Sequence, residues 1–242
     1  MKLIINGAAG RMGRALTKLI ENSADITLVG AVDAVCPDQG MVSSLSQVSE
    51  KADCVIDFSH HSATKELLCY CESTQTPVVI CTTAHTDQEL SLMESAGKNI
   101  PVFHSGNMSV GIALLMELAR QTAKMFPDAD IEIVETHHNQ KLDAPSGTAL
   151  MLAKAIGSVR DCVNVLGRSG NGKRARNEIG IHAVRRGGIV GIHEVIVSTA
   201  NQSITLKHEA HDRALFAEGA LTAAAWLTQQ KPGLYDMKDM VK

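Results

Sequence analysis

The sequence predicts an α/β protein: a domain built on a parallel sheet, followed by an α+β domain with a mixed or antiparallel sheet. Before residue 108, short apolar segments alternate with amphipathic ones, the order expected of βαβ units. After residue 108, a long helical pattern gives way to segments whose apolar residues alternate with period two. The 242 residues, of which 45% are hydrophobic and 20% charged, are enough for two such domains.

Strands and helices alternate in the first half. Apolar runs predict strands at residues 3–6, 26–32, 54–58, 77–80 and 100–103. The helical spacing of apolar residues predicts helices from residue 12 to residue 20, over 63–71 and over 87–95. Because parallel strands need crossover connections that are usually helices, this order predicts a parallel sheet.

The second half has a different order of elements. Periodicity predicts a helix over 110–125, a strand over 131–135, a helix over 148–156 and an alanine-rich helix over 214–227. Residues 167–176, rich in Gly, Arg, Lys, Asn and Ser, are expected to form an exposed loop. Three apolar or alternating runs between residues 179 and 209 predict an antiparallel meander. The change of pattern near residues 107–109 predicts a domain boundary.

The composition argues against nucleic acid and membrane partners. A formal net charge of -3 provides no basic field, and one Trp and two Tyr leave few platforms for stacking bases. No apolar run approaches the roughly 20 residues needed to cross a bilayer. The first residues are expected to form a strand rather than a secretion signal. We therefore expect a cytoplasmic protein whose partners are small molecules or copies of itself.

The cysteines show neither a CxxC pair nor the spacing of a zinc knuckle. They are expected to be reduced, mostly packed thiols, as is typical of cytosolic proteins. The set is Cys36, Cys54, Cys69, Cys71, Cys81 and Cys162. Adjacent His137 and His138 would point to opposite sides of an extended chain, and no third ligand has zinc spacing, so no metal site is expected.

A glycine motif, GAAGRMG at residues 7–13, follows the first strand and opens the first helix. Glycines permit a tight turn and a close approach to a pyrophosphate, whose charge meets the free amides of the helix start. Asp33, at the end of the second strand, can accept hydrogen bonds from the adenosine ribose hydroxyls. The spacing is GxxGxxG rather than GxGxxG, so the alternative is a plain glycine turn with an unrelated aspartate.

Together these features predict a Rossmann-type dinucleotide-binding domain. The residues expected to contact the cofactor here are Gly7, Ala8, Ala9, Gly10, Arg11, Met12 and Asp33. A carboxylate repels a 2′-phosphate, and Ala34 rather than an arginine follows Asp33, so NADH is favoured. Arg11 or Arg14 could still assist NADPH.

A second cluster of chemically capable residues, ETHHNQKLDAPSGT at residues 135–148, begins at a strand end and finishes at a helix start. Ser146, Gly147 and Thr148 would offer amides and hydroxyls to a carboxylate. Lys141 adds a positive charge, and a histidine can exchange a proton near neutral pH. The alternatives are a simple helix N-cap and histidines that face solvent or serve structure.

Four segments resemble the dihydrodipicolinate reductase family, and the likeness extends over essentially the whole chain. They are GAAGRMG at 7–13, ETHHNQKLDAPSGTA at 135–149, AVRRGGIVGIHE at 183–194 and KHEAHDRALFAEGA at 207–220. The resemblance implies hydride transfer from NAD(P)H to C4 of 4-hydroxy-tetrahydrodipicolinate. The hydroxyl would leave as water, and the product would be tetrahydrodipicolinate for lysine and diaminopimelate biosynthesis.

The resemblance also implies roles for individual residues. His137 would be the proton donor or acceptor, and Lys141 the second catalytic residue, while His138, Lys141 and residues 146–148 would hold the substrate carboxylates. Nicotinamide contacts are implied for Cys81, Thr82, Thr83, Ser105, Gly106, Asn107 and Met108. Cys81, Ala84 and Met108 depart from the family's usual residues, and cysteine fits position 81 only if its φ is negative.

At the level of domains, the resemblance implies that residues 1–108 and 214–242 form the dinucleotide-binding domain. Residues 109–213 would form the substrate-binding and oligomerisation domain of a homotetramer, assembled through its sheet. The basic loop of Lys173, Arg174 and Arg176 would be either attracted to the dianionic substrate or solvated and mobile, the second being favoured.

Two other functions remain open from the residues alone. A Rossmann semialdehyde dehydrogenase would form a thiohemiacetal on a cysteine, and Cys81 lies near the expected nicotinamide site. A non-catalytic dinucleotide sensor would bind the cofactor without needing His137 or Lys141.

Overall fold

The computed structural model describes residues 1–35 and 40–241, so the Cys36 prediction lies outside the described residues. The chain divides into two compact units. The first unit comprises Met1–Ser109 with Ala214–Met240, and the second comprises Val110–Arg213.

The described elements include every strand and helix that the sequence patterns predict, in the same order, together with two short strands and one short α-helix that they do not predict. The strands are β1 Lys2–Asn6, β2 Thr27–Val32, β3 Cys54–Asp57, β4 Val78–Ile80, β5 Pro101–His104, β6 Asp130–His137, β7 Val163–Leu166, β8 Glu178–Arg185, β9 Gly191–Ser198, β10 Ser203–Ala210 and β11 Gly233–Tyr235. The α-helices are α1 Arg11–Glu21, α2 Thr64–Thr74, α3 Asp87–Ala96, α4 Val110–Met125, α5 Gly147–Gly157, α6 Ala214–Leu227 and α7 Met237–Met240.

The first unit contains a six-stranded sheet in the order β11-β5-β4-β3-β1-β2. All of its strand pairs are parallel, so the carboxyl ends of β1, β3, β4 and β5 lie along one edge. The strands carry near-continuous apolar runs because helices cover both faces of such a sheet, and Ile4, Val55 and Val102 are fully buried. This arrangement places the glycine turn after β1 beside the ends of β2 and β3.

The second unit contains a five-stranded sheet in the order β10-β9-β6-β8-β7. Central β6 pairs antiparallel with β9 and parallel with β8, so the sheet is mixed. One face is packed against α4 and α5. The carboxyl end of β6 and the start of α5 therefore lie close together in the structure.

The α/β fold class, with a Rossmann-type parallel sheet and a second mixed sheet, is confirmed, but the antiparallel meander is wrong. β9 and β10 form an antiparallel pair, whereas β8 is separated from β9 by β6. The connection over residues 186–190 crosses the end of β6, where the Arg186 amide donates to the His137 carbonyl. β6, whose alternating Ile131 and Ile133 are fully buried, occupies the centre of the sheet, and burial there outweighs pairing between sequence neighbours.

In residues 1–35 and 40–241, no helix is long and apolar enough to span a membrane. The five cysteines in the described part of the chain are free thiols; Cys54 and Cys71 are buried, while Cys69 is exposed. The described residues contain no group of three or more His, Cys, Asp or Glu side chains placed to hold a metal ion.

Candidate active site

The glycine motif forms a tight turn between β1 and α1. The Gly7 and Ala8 amides donate to the Val32 carbonyl at the end of β2, at 2.8 and 2.9 Å. Gly7 has a φ of +83°, and a Cβ added there would lie 2.7 Å from the Phe58 backbone. A Cβ on Gly13 would lie 2.3 Å from the Gly7 carbonyl oxygen. These two positions therefore require glycine, and the first turn of α1 packs directly on the loop.

Asp33 is tied to the same turn. Its carboxylate accepts a hydrogen bond from the Ala9 amide at 3.1 Å, which fixes the end of β2 beside the glycine motif. A cavity of about 380 Å³ opens here, and Gly7, Gly10 and Asp33 are among its lining residues. Glu66 and His60 line it too, and neither was predicted from the sequence. Arg11 and Met12, on the first turn of α1, are not among its lining residues.

A chain of hydrogen bonds crosses the carboxyl ends of β1, β3 and β4. The buried Asp57 carboxylate accepts hydrogen bonds from the side-chain amide of Asn6 at 2.8 Å and from the Thr82 hydroxyl at 3.2 Å. Burial raises the pKa of Asp57, although hydrogen bonds from Ser59 and Asn6 oppose the rise. Asp57 thus connects the glycine turn with residues 81–83, which the resemblance places at the nicotinamide.

The departures at positions 81 and 84 have different consequences. Position 81 does not have positive φ, so cysteine is tolerated there, whereas Ala84 has a φ of +65° and carries the strain of the left-handed region. Burial raises the pKa of the Cys81 thiol well above its ordinary value, and the nearby Asp57 carboxylate adds to the rise. The thiol is therefore protonated at neutral pH, which argues against the semialdehyde dehydrogenase alternative.

The remaining residues implied for the nicotinamide site form a compact turn after β5. The Ser105 hydroxyl donates to the Asn107 carbonyl at 2.8 Å, and the Asn107 side chain accepts from the Ser109 amide at 2.9 Å. Met108 is buried, whereas Gly106 is exposed. The turn therefore leaves Gly106 as an open backbone position at the carboxyl edge of the sheet.

In the second unit, His137 ends β6 and is held by a buried carboxylate. Its Nδ1 lies 2.6 Å from Glu135 Oε2, and the Glu135 side chain is fully buried. Arg185 of β8 binds both oxygens of Glu135 at 2.8 Å, and the Ser146 amide donates to Oε1 at 3.0 Å. One carboxylate therefore fixes the histidine ring and the start of α5 together.

The burial and neighbouring charges of His137 keep its imidazole neutral near neutral pH. Burial lowers the pKa of His137, and the charges of Lys141 and Arg185 also lower it, whereas Glu135 raises it. Burial alone would raise the pKa of Glu135, but hydrogen bonds from Arg185, His137 and the Ser146 amide lower it. His137 is thus placed to take up a proton when a negative charge binds beside it.

Ser146 is the N-cap of α5, with its hydroxyl accepting from the Ala149 amide at 3.3 Å. The same hydroxyl lies 3.2 Å from Nε2 of buried His193, whose pKa is lowered by burial to about 4. The Ser146 amide is occupied by Glu135. The expected anion site at the start of α5 therefore depends on Gly147 and Thr148, while Ser146 secures the helix start.

Lys141 and His138 lie on the loop between β6 and α5. The Lys141 ammonium lies 2.8 Å from Asp143 Oδ1. The positive charge of Lys141 also lowers the pKa of His137. His138 Nε2 lies 3.5 Å from an Arg213 guanidinium nitrogen. Two cationic side chains, Lys141 and Arg213, therefore stand near the paired histidines.

Lys173 and Arg176 of the basic loop are exposed, as the sequence favoured, whereas Arg174 is not. This guanidinium is only 16% exposed; it pairs with Asp130 at 2.8 Å and also with Glu132. Arg176 pairs with Asp128 at 2.5 Å. The carboxylates at the start of β6 attract these arginines, since each loop arginine finds an acidic partner there.

Sequence reasoning missed four residues of the second-unit site: Glu135, Arg185, His193 and Arg213. Glu135 and His137 are two positions apart on a strand and must share a face, so that pairing was accessible from periodicity. Arg185 and His193 lie on strands far along the chain, and only the sheet order brings them to Glu135. Arg213 lies in the segment 207–220 that carries the resemblance, but nothing beside it in the sequence indicates its contact with His138.

The first unit combines a Rossmann-type sheet with a glycine turn and a strand-end aspartate. The second unit carries a histidine, a lysine and a helix start. Together these features define one class of protein. That class is the pyridine-nucleotide-dependent reductases.

Comparisons with known proteins point to one family over the whole chain. Residues 1–108 match the model of the dihydrodipicolinate reductase N-terminus, and residues 111–241 match that of the C-terminus. The 4-hydroxy-tetrahydrodipicolinate reductases of Caldanaerobacter subterraneus subsp. tengcongensis and Clostridium tetani are 48% and 42% identical, covering 100% of this chain and 98% and 97% of theirs. A dipicolinate-bound dihydrodipicolinate reductase from Paenisporosarcina sp. TG-14 superposes with a TM-score of 0.79 at 26% identity, covering 99% of both chains. This chain belongs to the dihydrodipicolinate reductase family.

Proposed function

We propose that this protein reduces 4-hydroxy-tetrahydrodipicolinate to tetrahydrodipicolinate. The substrate, NAD(P)H and one proton give the product, NAD(P)⁺ and one water. The observation that supports this most is that the Glu135 carboxylate holds both His137 and the start of α5, while the charge of Lys141 lies near enough to lower the pKa of His137. Such a site combines a proton-exchanging group with cations and helix amides suited to a small dicarboxylate.

The cofactor would be held by the first unit, through the residues predicted from the glycine motif and strand ends. Their geometry fits a dinucleotide: the Gly7 turn leaves no room for a side chain, and Asp33 lies beside it. When bound, the cofactor supplies the hydride. Gly10 and Arg11 open α1 toward the pyrophosphate, while Thr82, Thr83 and residues 105–108 would contact the nicotinamide end.

The substrate would be held by the second unit. Lys141, His138 and the amides of Gly147 and Thr148 are suited to carboxylates, and Arg213 adds a further cation near His138. His137 would give the proton to the reduced ring, and Lys141 would orient the substrate or act as a second acid. The Paenisporosarcina relative is described as dipicolinate-bound, which supports a planar cyclic dicarboxylate as the ligand class.

NADH is proposed as the preferred cofactor. The cavity beside the glycine turn is lined by two carboxylates, Asp33 and Glu66, and its lining includes neither lysine nor arginine in the described part of the chain. Residues 36–39 contain no lysine or arginine in the sequence. A 2′-phosphate would therefore meet negative charge in this lining, since Arg11 and Arg14 lie outside it.

A homotetramer assembled through the second sheet is proposed as well. The sheet face opposite α4 and α5 presents Val134, Ile192 and Ile196, all half-exposed. Native mass spectrometry is expected to give four chains, and an Ile196→Asp variant is expected to give smaller species. A monomeric wild-type protein would contradict the proposal.

We place the enzyme in the cytoplasm, as its free thiols suggest.

The test of the function is oxidation of NADH or NADPH in the presence of freshly generated substrate, followed by the cofactor's near-ultraviolet absorbance. The expected result is oxidation that depends on both substrate and enzyme and is inhibited competitively by dipicolinate. A Cys81→Ser variant should keep full turnover, whereas loss of turnover would revive the dehydrogenase alternative. A sensor would bind cofactor but show no substrate-dependent oxidation.

A further inference from the structure

We infer that Glu135 is a positioning residue that selects the tautomer of His137, and that Arg185 is the counter-charge that keeps this carboxylate from over-stabilising the protonated ring. The inference rests on the proposed acid role of His137.

The contacts of Glu135 all come from donors. Oε2 faces His137 Nδ1 and an Arg185 nitrogen, and Oε1 faces the second Arg185 nitrogen and the Ser146 amide. An ionised carboxylate only accepts hydrogen bonds, so His137 Nδ1 must carry a proton. Nε2 is then the atom that takes up and delivers the exchangeable proton.

Gly191 leaves room beside Nε2. A Cβ at Gly191 would lie 3.1 Å from Nε2, so a side chain at this position would crowd the reacting atom. The His193 ring stands edge-on, with ring centroids 5.1 Å apart. Because burial holds the pKa of His193 to about 4, this ring stays neutral and does not compete for the proton.

The charged groups around His137 come from every neighbouring element: Glu135 on β6, Arg185 on β8, His193 on β9 and Lys141 on the loop. Glu135 raises the pKa of His137, while Arg185 and Lys141 lower it. Arg185 thus offsets the effect of Glu135 while keeping its geometry.

The decisive experiment uses two variants with opposite expected shifts. In Glu135→Gln, the side-chain carbonyl is expected to face the Ser146 backbone amide, which can only donate, and the NH₂ to face His137, whose ring can change tautomer. His137 then loses both the group that selects its tautomer and a stabilising charge. We expect kcat to fall about 10²-fold or more, with little change in KM, and the pKa of His137 to fall. In Arg185→Gln, the uncompensated carboxylate is expected to raise the pKa of His137.

The readout is ¹⁵N NMR of the histidine rings, recorded against pH, beside steady-state kinetics and NADH affinity. Wild-type His137 is expected to show a protonated Nδ1 and an unprotonated Nε2, and Glu135→Gln the reverse or a mixture. Glu178→Gln, which breaks the Arg168 ion pair on the same strand, is the control and should leave kcat unchanged. NADH affinity should be unchanged in all three variants.

Unchanged tautomer and pKa in Glu135→Gln, or pKa shifts of the same sign in both variants, would overturn the inference. If Glu135→Gln fails to fold, the rise expected in Arg185→Gln still decides the matter, because no rise would refute it. A His137→Gln enzyme with normal kcat would instead refute the acid role, while the tautomer measurement would still report on Glu135.

Discussion

The Asp143 carboxylate lies 2.8 Å from the Lys141 ammonium, and the Gly147 amide at the start of α5 also stabilises its charge. The hydrogen bond from Lys141 is the main reason that the pKa of Asp143 is lowered. An internal carboxylate thus occupies the groups proposed to bind a substrate carboxylate.

Substitution of Asp143 tests this competition. Asp143→Asn should lower KM for the dicarboxylate by up to about fivefold, because a partly exposed ion pair contributes at most ~1 kcal/mol. Substrate-dependent kinetics with Asp128→Asn, which removes an exposed partner of Arg176, provide the control. A raised KM in Asp143→Asn would mean that Asp143 orients Lys141 for the substrate instead.

Cofactor choice is expected to depend on Asp33. Wild-type kcat/KM should be higher with NADH than with NADPH, and Asp33→Asn should narrow the ratio by about tenfold, equivalent to ~1.4 kcal/mol of repulsion. Glu66→Gln should narrow it less, since Glu66 lies across the cavity on α2. A wild-type preference for NADPH would contradict the account of this pocket.

Ala84→Gly should stabilise the protein. Ala84 has a φ of +65°, a conformation that costs an L-residue about 1 kcal/mol and glycine nothing. Thermal unfolding should show a Tm higher by about 2–4 °C. Ala63→Gly, at a φ of -81°, is the matched control and should lower Tm or leave it unchanged. Equal shifts in both variants would remove backbone strain as the cause.

Stability should fall as the pH drops from about 6.5 toward 4. Burial depresses the pKa of His193 from 6.5 to about 4 in the folded state, so the unfolded chain binds the proton first and gains from acidification. The contribution of neutral His193 to the free energy of unfolding is complete above its unfolded-state pKa of 6.5 and is lost as the pH falls toward its folded-state pKa of about 4. Thermal unfolding against pH should show a weaker dependence in His193→Gln. An unchanged dependence would show that His193 does not contribute.

The fold was largely predictable because each parallel strand is an apolar run and each helix has a clear period. The sequence did not predict β7 and β11, which are three or four residues long with mixed character. The position of β8 was also missed, because strand order depends on which strand occupies the buried centre of the sheet. Local pattern carries no information on that choice.

The residues of the candidate site also divide into those that the sequence predicts and those that only the tertiary structure reveals. The glycine motif, Asp33 and the residues from His137 to Thr148 lie in contiguous segments whose chemistry is local. Glu135 stood in the same segment, yet its role depends on Arg185, fifty positions away, reaching it through strand pairing. The occupied amide of Ser146 likewise follows from a tertiary hydrogen bond that no spacing indicates.

His137 is proposed to exchange the proton that accompanies reduction of the cyclic dicarboxylate. The most direct measurement is kcat of His137→Gln in the cofactor-oxidation assay, with NADH affinity measured in parallel. His182→Gln serves as the control, since this histidine pairs with Glu132 away from the site. In His137→Gln, kcat is expected to fall about 10²-fold or more at unchanged NADH affinity, whereas His182→Gln should remain near wild type. A His137→Gln enzyme that turns over at the wild-type rate would contradict this role.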